Sequence, residues 1–311
     1  MAPPRAPSVH NTWVAGTPAG GSRVLSRVDR VQLVVEDRAA AAETFAALFG
    51  AVPLGEDASP VLNARRTTLQ AGISLFELLE PAGPGPVANF AERVRGGLYG
   101  AVFATPDLGA MARHLDSQEV PFTAEGDALV LGEAATHGMP TTIVPDVARE
   151  PVGHIRCLYE VTNPVADWQD TAGLYTRIFG LDPTRYSPIE SSLYGYRGTL
   201  TLFDPPARLD RIEITQTWGD LAMDRFYKRR GPGLYMCYVE TDDVVGLAAR
   251  LRARNARFTD NADRPPEDGL FIHPTSLHGM LMGVSKTNFA WVWSGRPELA
   301  GEGAAERYRA H

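Results

Sequence analysis

Two glutamates stand where acids are costly. Glu77 lies in the middle of SLFELLEP (Ser74–Pro81) and Glu213 in the middle of RIEITQTW (Arg211–Trp218), both of them apolar, strand-like segments. A carboxylate on the inward face of a strand needs a partner, a bound cation or a chemical role, because nothing else repays its lost hydration. Burial raises the pKa of such a group towards neutrality, where it can take and give protons, and a nearby arginine lowers it again. His154 opens the strand-like run HIRCLYEVTNP. An imidazole there is either a proton carrier or a satisfied histidine at a strand start. His137 and His278 both sit in a His-Gly pair, which reads as a turn or strand-entry element; His273-Pro274 also reads as structural. The basic run Arg225–Arg230 reads as a solvated loop or helix, with an anion-recruiting lid as the sharper alternative.

The elements that must position these residues occur twice. ETFAALFGAVP (Glu43–Pro53) matches GLYTRIFGLDP (Gly173–Pro183), each a helical stretch stopped by Phe-Gly. The two mid-strand acids are 136 residues apart, and so are the Leu-Tyr pairs at 98–99 and 234–235. ATHGMPTTIV (Ala135–Val144) matches SLHGMLMGVS (Ser276–Ser285). Four matches in one order at a nearly constant offset predict a duplicated chain. The division is a tail over 1–23, one domain over 24–150, a second over 151–295 and a loose tail over 296–311. Each half divides again into a strand, a helix and several short strands, so the fold class is α+β.

Bulk properties narrow the function. A net charge of −7 argues against a nucleic-acid partner, which needs a basic surface. No run of 18 apolar residues exists to span a membrane. Cys157 and Cys237 sit in apolar runs, which predicts free thiols in a reducing, cytoplasmic compartment. The expected partner is a small molecule; a free strand edge leaves a homodimer open without fixing the oligomeric state.

The chain resembles the vicinal-oxygen-chelate superfamily of glyoxalase, bleomycin-resistance and extradiol-dioxygenase-like proteins. The resemblance is carried by DRVQLVVEDRAAAAETFAALFG, by HIRCLYEVTNPVADW with LYTRIFG, and by FIHPTSLHGMLMGVS, which is similar to the closing strand of methylmalonyl-CoA epimerase-like members. It implies four βαβββ modules forming two tandem domains with cupped mixed sheets. It also implies a divalent metal (Fe, Mn, Zn or Ni) held from the first, fourth, fifth and eighth strands of a domain. In the first half those positions fall on Arg30, Glu77, Gly100 and Thr142. A guanidinium has no lone pair to offer, so Arg30 and Glu77 are expected to form a structural ion pair in place of a metal. In the second half the positions fall on His154, Glu213, Met236 and Gly283, leaving His154 and Glu213 as catalytic pair and as the only competent ligands. Strand alternation then adds Arg156, Arg211, Thr215 and Tyr238 to Met236 as the substrate-binding wall.

Three functions follow from this reading. The first is a lyase- or isomerase-type enzyme acting on a small carbonyl or aromatic ketone-like substrate, with proton transfer by Glu213 and His154 and an oxyanion held by Arg156 or Arg211. The second is an extradiol-type ring-cleaving dioxygenase. The third is a non-catalytic small-molecule binding or resistance protein, in which the cavity persists without chemistry.

Overall fold

The computed structural model describes residues 25–259 and 267–309, so the expected N-terminal tail lies outside the described residues. The first half contributes β1 (Arg27–Val34), α1 (Arg38–Phe49), β2 (Val52–Ser59), β3 (Ala64–Ala71), β4 (Ser74–Pro81), α2 (Pro86–Val94), β5 (Gly97–Thr105), α3 (Leu108–Ser117), β6 (Thr123–Glu125), β7 (Ala128–Leu131) and β8 (Thr141–Pro145). The second half contributes β9 (Cys157–Pro164), α4 (Trp168–Phe179), β10 (Ser187–Ser191), β11 (Tyr196–Leu202), β12 (Arg211–Thr217), α5 (Ala222–Arg230), β13 (Met236–Thr241), α6 (Val244–Ala253), β14 (Gly269–Ile272) and β15 (Leu281–Lys286), followed by α7 (Ala304–Arg309).

Two mixed sheets result, ordered β2-β3-β4-β1-β5-β8-β7-β6 and β10-β11-β12-β9-β13-β15-β14. In each, the first strand runs parallel to the fourth and antiparallel to the strand that opens the second module. This is the four-module α+β plan, with one departure. In the last module the counterpart of β6 is, among the described residues, a single bridge from Phe258 to Ile272.

Local chemistry explains the repeated helices. Asp37, Asp107, Asp167 and Asp243 each cap a helix N-terminus by accepting a backbone N–H. α1 and α4 end on Gly50 and Gly180 with φ of 65° and 60°, the left-handed stop expected of the two Phe-Gly pairs.

The halves share one core. Phe45, Phe49, Phe103, Tyr175 and Phe179 belong to a single buried cluster running through both domains. α1 packs on α6 and α3 on α4, so each helix pair crosses between halves. Reciprocal hydrogen bonds reinforce this pseudo-twofold arrangement. The Val28 N–H donates to Asp210 Oδ1 at 2.8 Å, and the Leu158 N–H donates to Ser74 Oγ at 2.9 Å. His137 Nδ1 meets Thr171 Oγ1 at 2.9 Å on α4, and His278 Nε2 meets Thr44 Oγ1 at 3.0 Å on α1. Both histidines have left-handed backbones, which fits the turn role read from their recurrence.

The C-terminal segment departs from the expectation of a loose tail over 296–311. Its described part folds back as a 3₁₀ turn and α7, with Ala300 and Ala304 buried and Tyr308 stacked on Trp293 at 5.6 Å. Aromatic anchoring outweighs the polar, glycine-rich composition. No helix among the described residues is long and apolar enough to cross a membrane.

Candidate active site

Each sheet curls around a cavity, and the pairing registers decide which residues enter it. β4 places Glu77 beside Gln32 of β1; β12 places Glu213 beside Thr162 of β9 and Arg211 beside Glu160. Since Arg30 pairs with Leu75 in the same register, the counterpart of Arg30 is Glu160. The expected counterpart, His154, stands six residues earlier and outside the strand.

That correction removes His154 from the site. It is exposed, its N–H donates to Phe49 O at 2.7 Å, and its ring lies against Gly50, where an added Cβ would sit 3.2 Å from it. It closes the end of α1 rather than facing Glu213. Arg156 is also displaced: it is exposed, reaches Asp242 at 3.5 Å and lines a separate cavity between the halves. Thr215 and Met236 are buried on the inward face but lie outside the cavity lining; Thr215 Oγ1 contacts Met223 Sδ at 3.3 Å. The basic run forms most of α5 and also stays out of that lining.

Glu213 and Tyr238 do line the C-terminal cavity, about 340 Å³ in volume, and they are joined there by Glu160 and Tyr196. A register skip between β9 and β13 leaves Tyr159 as an extra residue, a β-bulge. Its ring lies 5.9 Å from Tyr238 and 4.8 Å beneath the Arg211 guanidinium. Arg211 is fully buried, and its Nε donates to Glu160 Oε2 at 2.6 Å. Thr162 Oγ1 donates to Glu213 Oε2 at 2.8 Å.

Burial, and next the adjoining Glu160 carboxylate, push the Glu213 pKa well above the usual glutamate range. Two carboxyls within hydrogen-bond reach hold one proton between them more readily than two negative charges. Burial likewise raises Tyr196 and Tyr238, which therefore stay as neutral hydroxyl donors. Among the described residues Arg211 Nη2 has no hydrogen-bond partner, and Glu160 Oε1 has no donor other than the adjoining Glu213 carboxyl.

Aromatic side chains close the cavity. Tyr238 lies 5.7 Å from Phe271 and 6.2 Å from Trp293, with Phe289 and Tyr308 packed beyond Trp293. Gly283 makes room for Tyr238, since a Cβ there would fall 2.2 Å from the ring. Gly283→Ala is expected to push Tyr238 off its seat and to cost about 1–3 kcal/mol, as overpacked cores do. Urea unfolding measures this; an unchanged midpoint would mean the ring is not seated there.

The N-terminal cavity, about 380 Å³, has the reverse arrangement. Arg30 Nη1 donates to Glu77 Oε1 at 2.7 Å and Gln32 Nε2 to Glu77 Oε2 at 2.9 Å. Here the first strand supplies the guanidinium and the fourth the acid; in the C-terminal cup the first strand supplies Glu160, and the fourth supplies both Arg211 and Glu213. The same acid-in-an-apolar-strand signal that marks Glu213 also marks Glu160 in CLYEV, and that is how it could have been found.

With cupped mixed sheets built from βαβββ modules, this is a protein of the vicinal-oxygen-chelate fold. Residues 152–282 match the family model of the Glyoxalase/Bleomycin resistance protein/Dioxygenase superfamily. Among solved structures, a mutant of 4-hydroxymandelate synthase from Streptomyces coelicolor is similar over 92% of this chain and 99% of its own, at 17% identity and a TM-score of 0.67. A xylose isomerase-like TIM barrel/4-hydroxyphenylpyruvate dioxygenase fusion protein is similar over 86% of this chain and 49% of its own, at 12% identity and a TM-score of 0.55. Methylmalonyl-CoA epimerase from Streptomyces coelicolor matches 40% of this chain and 99% of its own, at 21% identity and a TM-score of 0.36. At these identities the first two likenesses show the fold alone. No curated protein sequence matches the chain.

Members of this superfamily typically hold a divalent metal, and the residues here do not fit one. The four positions carry Glu160 in place of the expected His154, Glu213, Tyr238 in place of the expected Met236, and Gly283; Tyr238 pairs with both Glu160 and Gly283, and Glu160 is already bonded to a buried guanidinium. Among the described residues no group of three or more His, Cys, Asp or Glu converges. Arg211 already supplies the positive charge that neutralises Glu160, and it can neither coordinate nor be deprotonated.

Proposed function

We propose that the chain is a vicinal-oxygen-chelate enzyme of lyase or isomerase type. It moves a proton on a small aromatic carbonyl compound bound in the C-terminal cup, in a cytoplasmic setting that suits its two free thiols. The observation that carries this reading is the buried Glu160–Glu213 carboxyl pair opening into an aromatic cavity. One carboxyl of such a pair can accept a proton from carbon while the other donates, which is how neighbouring acids divide roles at neutral pH.

Arg211 supplies charge balance to Glu160 from behind and does not reach a substrate oxygen itself. The neutral hydroxyls of Tyr196 and Tyr238, both on the cavity wall, are the donors for an enolate oxygen. This replaces the arginines expected for that task. The dioxygenase reading loses support, because its one imidazole, His154, lies outside the cup.

The test is exchange of solvent deuterium into the acidic C–H positions of a panel of aryl ketones, followed by NMR. Wild-type protein should catalyse exchange, and Glu213→Gln, which keeps the shape but cannot accept a proton, should lose about 100-fold or more. Equal exchange by the two proteins would remove Glu213 from the chemistry. Stoichiometric binding of the panel without exchange would favour the binding-protein alternative.

A further inference from the structure

Four exposed apolar side chains gather at one end of the C-terminal sheet: Leu193 and Tyr194 in the turn from β10 to β11, Trp218 and Leu221 in the loop from β12 to α5. Leu193, at the tip of the turn, is 65% exposed. The two loops are fastened together. The Trp218 N–H donates to Gly195 O at 2.9 Å. Gly195, with φ of 66°, lies under the Leu221 side chain, where an added Cβ would fall 3.0 Å from Leu221 Cδ1. The four therefore form one patch, and a contiguous exposed apolar patch marks a surface that meets something other than water.

Positive charge flanks the patch on both sides. Tyr196 faces the cup, so Arg197 faces the opposite side of the sheet, where it shares a shallow groove with Trp218. On the other side Leu221 precedes α5, and successive helical turns bring Arg225 and Arg229 onto the face below it. All three arginines are exposed. Arg225 donates to the backbone carbonyl of Asp220, whereas Lys228 is paired with Asp224 at 2.9 Å. Burial, and then the Arg229 charge, hold the Arg230 guanidinium below its ordinary value, the mark of positive charge in excess. This end of the domain is basic in a chain whose net charge is −7.

Shape and charge together select the occupant. A stable protein partner needs a face that buries roughly 800 Å² a side, which a projecting tip of a few side chains does not supply. A bilayer takes such a tip: Trp, Tyr and Leu settle at headgroup depth while arginines meet anionic phosphates. We propose that this end of the C-terminal domain docks on an anionic lipid surface, with Leu193, Tyr194, Trp218 and Leu221 at the headgroup boundary and Arg197, Arg225 and Arg229 against the lipid phosphates. Docking of this kind needs no spanning helix. Tyr194 belongs to the patch and to the wall of the cup, so a docked chain presents the cup to apolar compounds dissolved in the bilayer. The assignment goes beyond the proton-transfer reading and does not rest on it.

Co-sedimentation of the full chain with vesicles tests the proposal, one set of phosphatidylcholine alone and one with about a third phosphatidylserine. The anionic vesicles should bind about tenfold or more tighter, and salt at about 0.5 M should remove most of the difference. Leu193→Ser combined with Trp218→Ser should weaken binding to the anionic vesicles by about tenfold or more. Arg225→Gln combined with Arg229→Gln should bring it down to the level of the neutral ones, which covers the case in which the first pair disturbs the fold. An unchanged urea midpoint shows that each variant is folded. Equal binding to both vesicles, or binding to neither, overturns the assignment. Salt-sensitive binding that the Leu193 and Trp218 variant keeps in full also overturns it, because the helix would then attract any polyanion, an acidic protein included.

Discussion

Arg211→Met is expected to destabilise the fold by about 3–5 kcal/mol, the cost of removing one partner from a buried ion pair. Arg211 is the largest fully buried side chain among the described residues. Its guanidinium donates to Glu160 Oε2 and to Leu209 O and lies over the Tyr159 ring. Methionine fills the volume but leaves Glu160 and Glu213 adjoining in an apolar interior with no positive charge between them. The loss belongs to the stranded acid and not to the missing contact, so a second substitution should recover most of it. Arg211→Met combined with Glu160→Leu replaces the pair by apolar groups and should return close to wild-type stability, because such replacements are often neutral. Arg156→Met, at an exposed position, should stay within about 0.5 kcal/mol. Denaturant unfolding of the three variants measures this. A loss below about 1 kcal/mol for Arg211→Met would mean that the carboxyls are solvated or neutral without it.

The fold was legible because it is written twice. The constant spacing of 136 between Glu77 and Glu213, and between the two Leu-Tyr pairs, tracks strands that occupy matching places in the two sheets. Aspartate caps and Phe-Gly stops act within a few residues, so they too can be read locally. The site was half legible. A mid-strand acid announces itself by its cost, and Glu213 was found that way. His154 was misplaced because the first strands are offset by 130 residues, not by 124 or 136: the link between halves lets the start of a strand slide without changing its apolar pattern. Alternation gives the phase of a strand but not where it begins. The bulge at Tyr159 shifts the phase again, and no residue type there signals it. The ring contacts among Tyr238, Phe271, Trp293 and Tyr308 join segments far apart in sequence, which only the folded chain brings together.

The two halves should also leave opposite marks on stability as pH changes. Glu213 has a higher pKa in the folded protein than the ordinary glutamate value of 4.5. A group of that kind takes up a proton on folding, so its contribution is complete below the unfolded value and is lost as pH rises through the raised folded one. Asp210 and Glu240 are raised by burial in the same sense. Asp29, in the N-terminal half, runs the other way. Burial would raise it, but Arg30, Arg149 and Arg27 together hold it below the ordinary 3.8. Its contribution is present above that value and is lost as pH falls through the lowered one. Wild-type stability should therefore decline at both ends, with the alkaline decline belonging to acids of the C-terminal half. Glu213→Gln removes one of these raised carboxyls while its amide can donate to Glu160. Its unfolding free energy should fall below, or match, that of the wild type in acid and overtake it as pH rises, with a residual slope from Asp210 and Glu240. Urea denaturation across the pH range gives both curves. Parallel curves would mean that Glu213 titrates normally, and the shared proton on which its proposed role depends would then be absent.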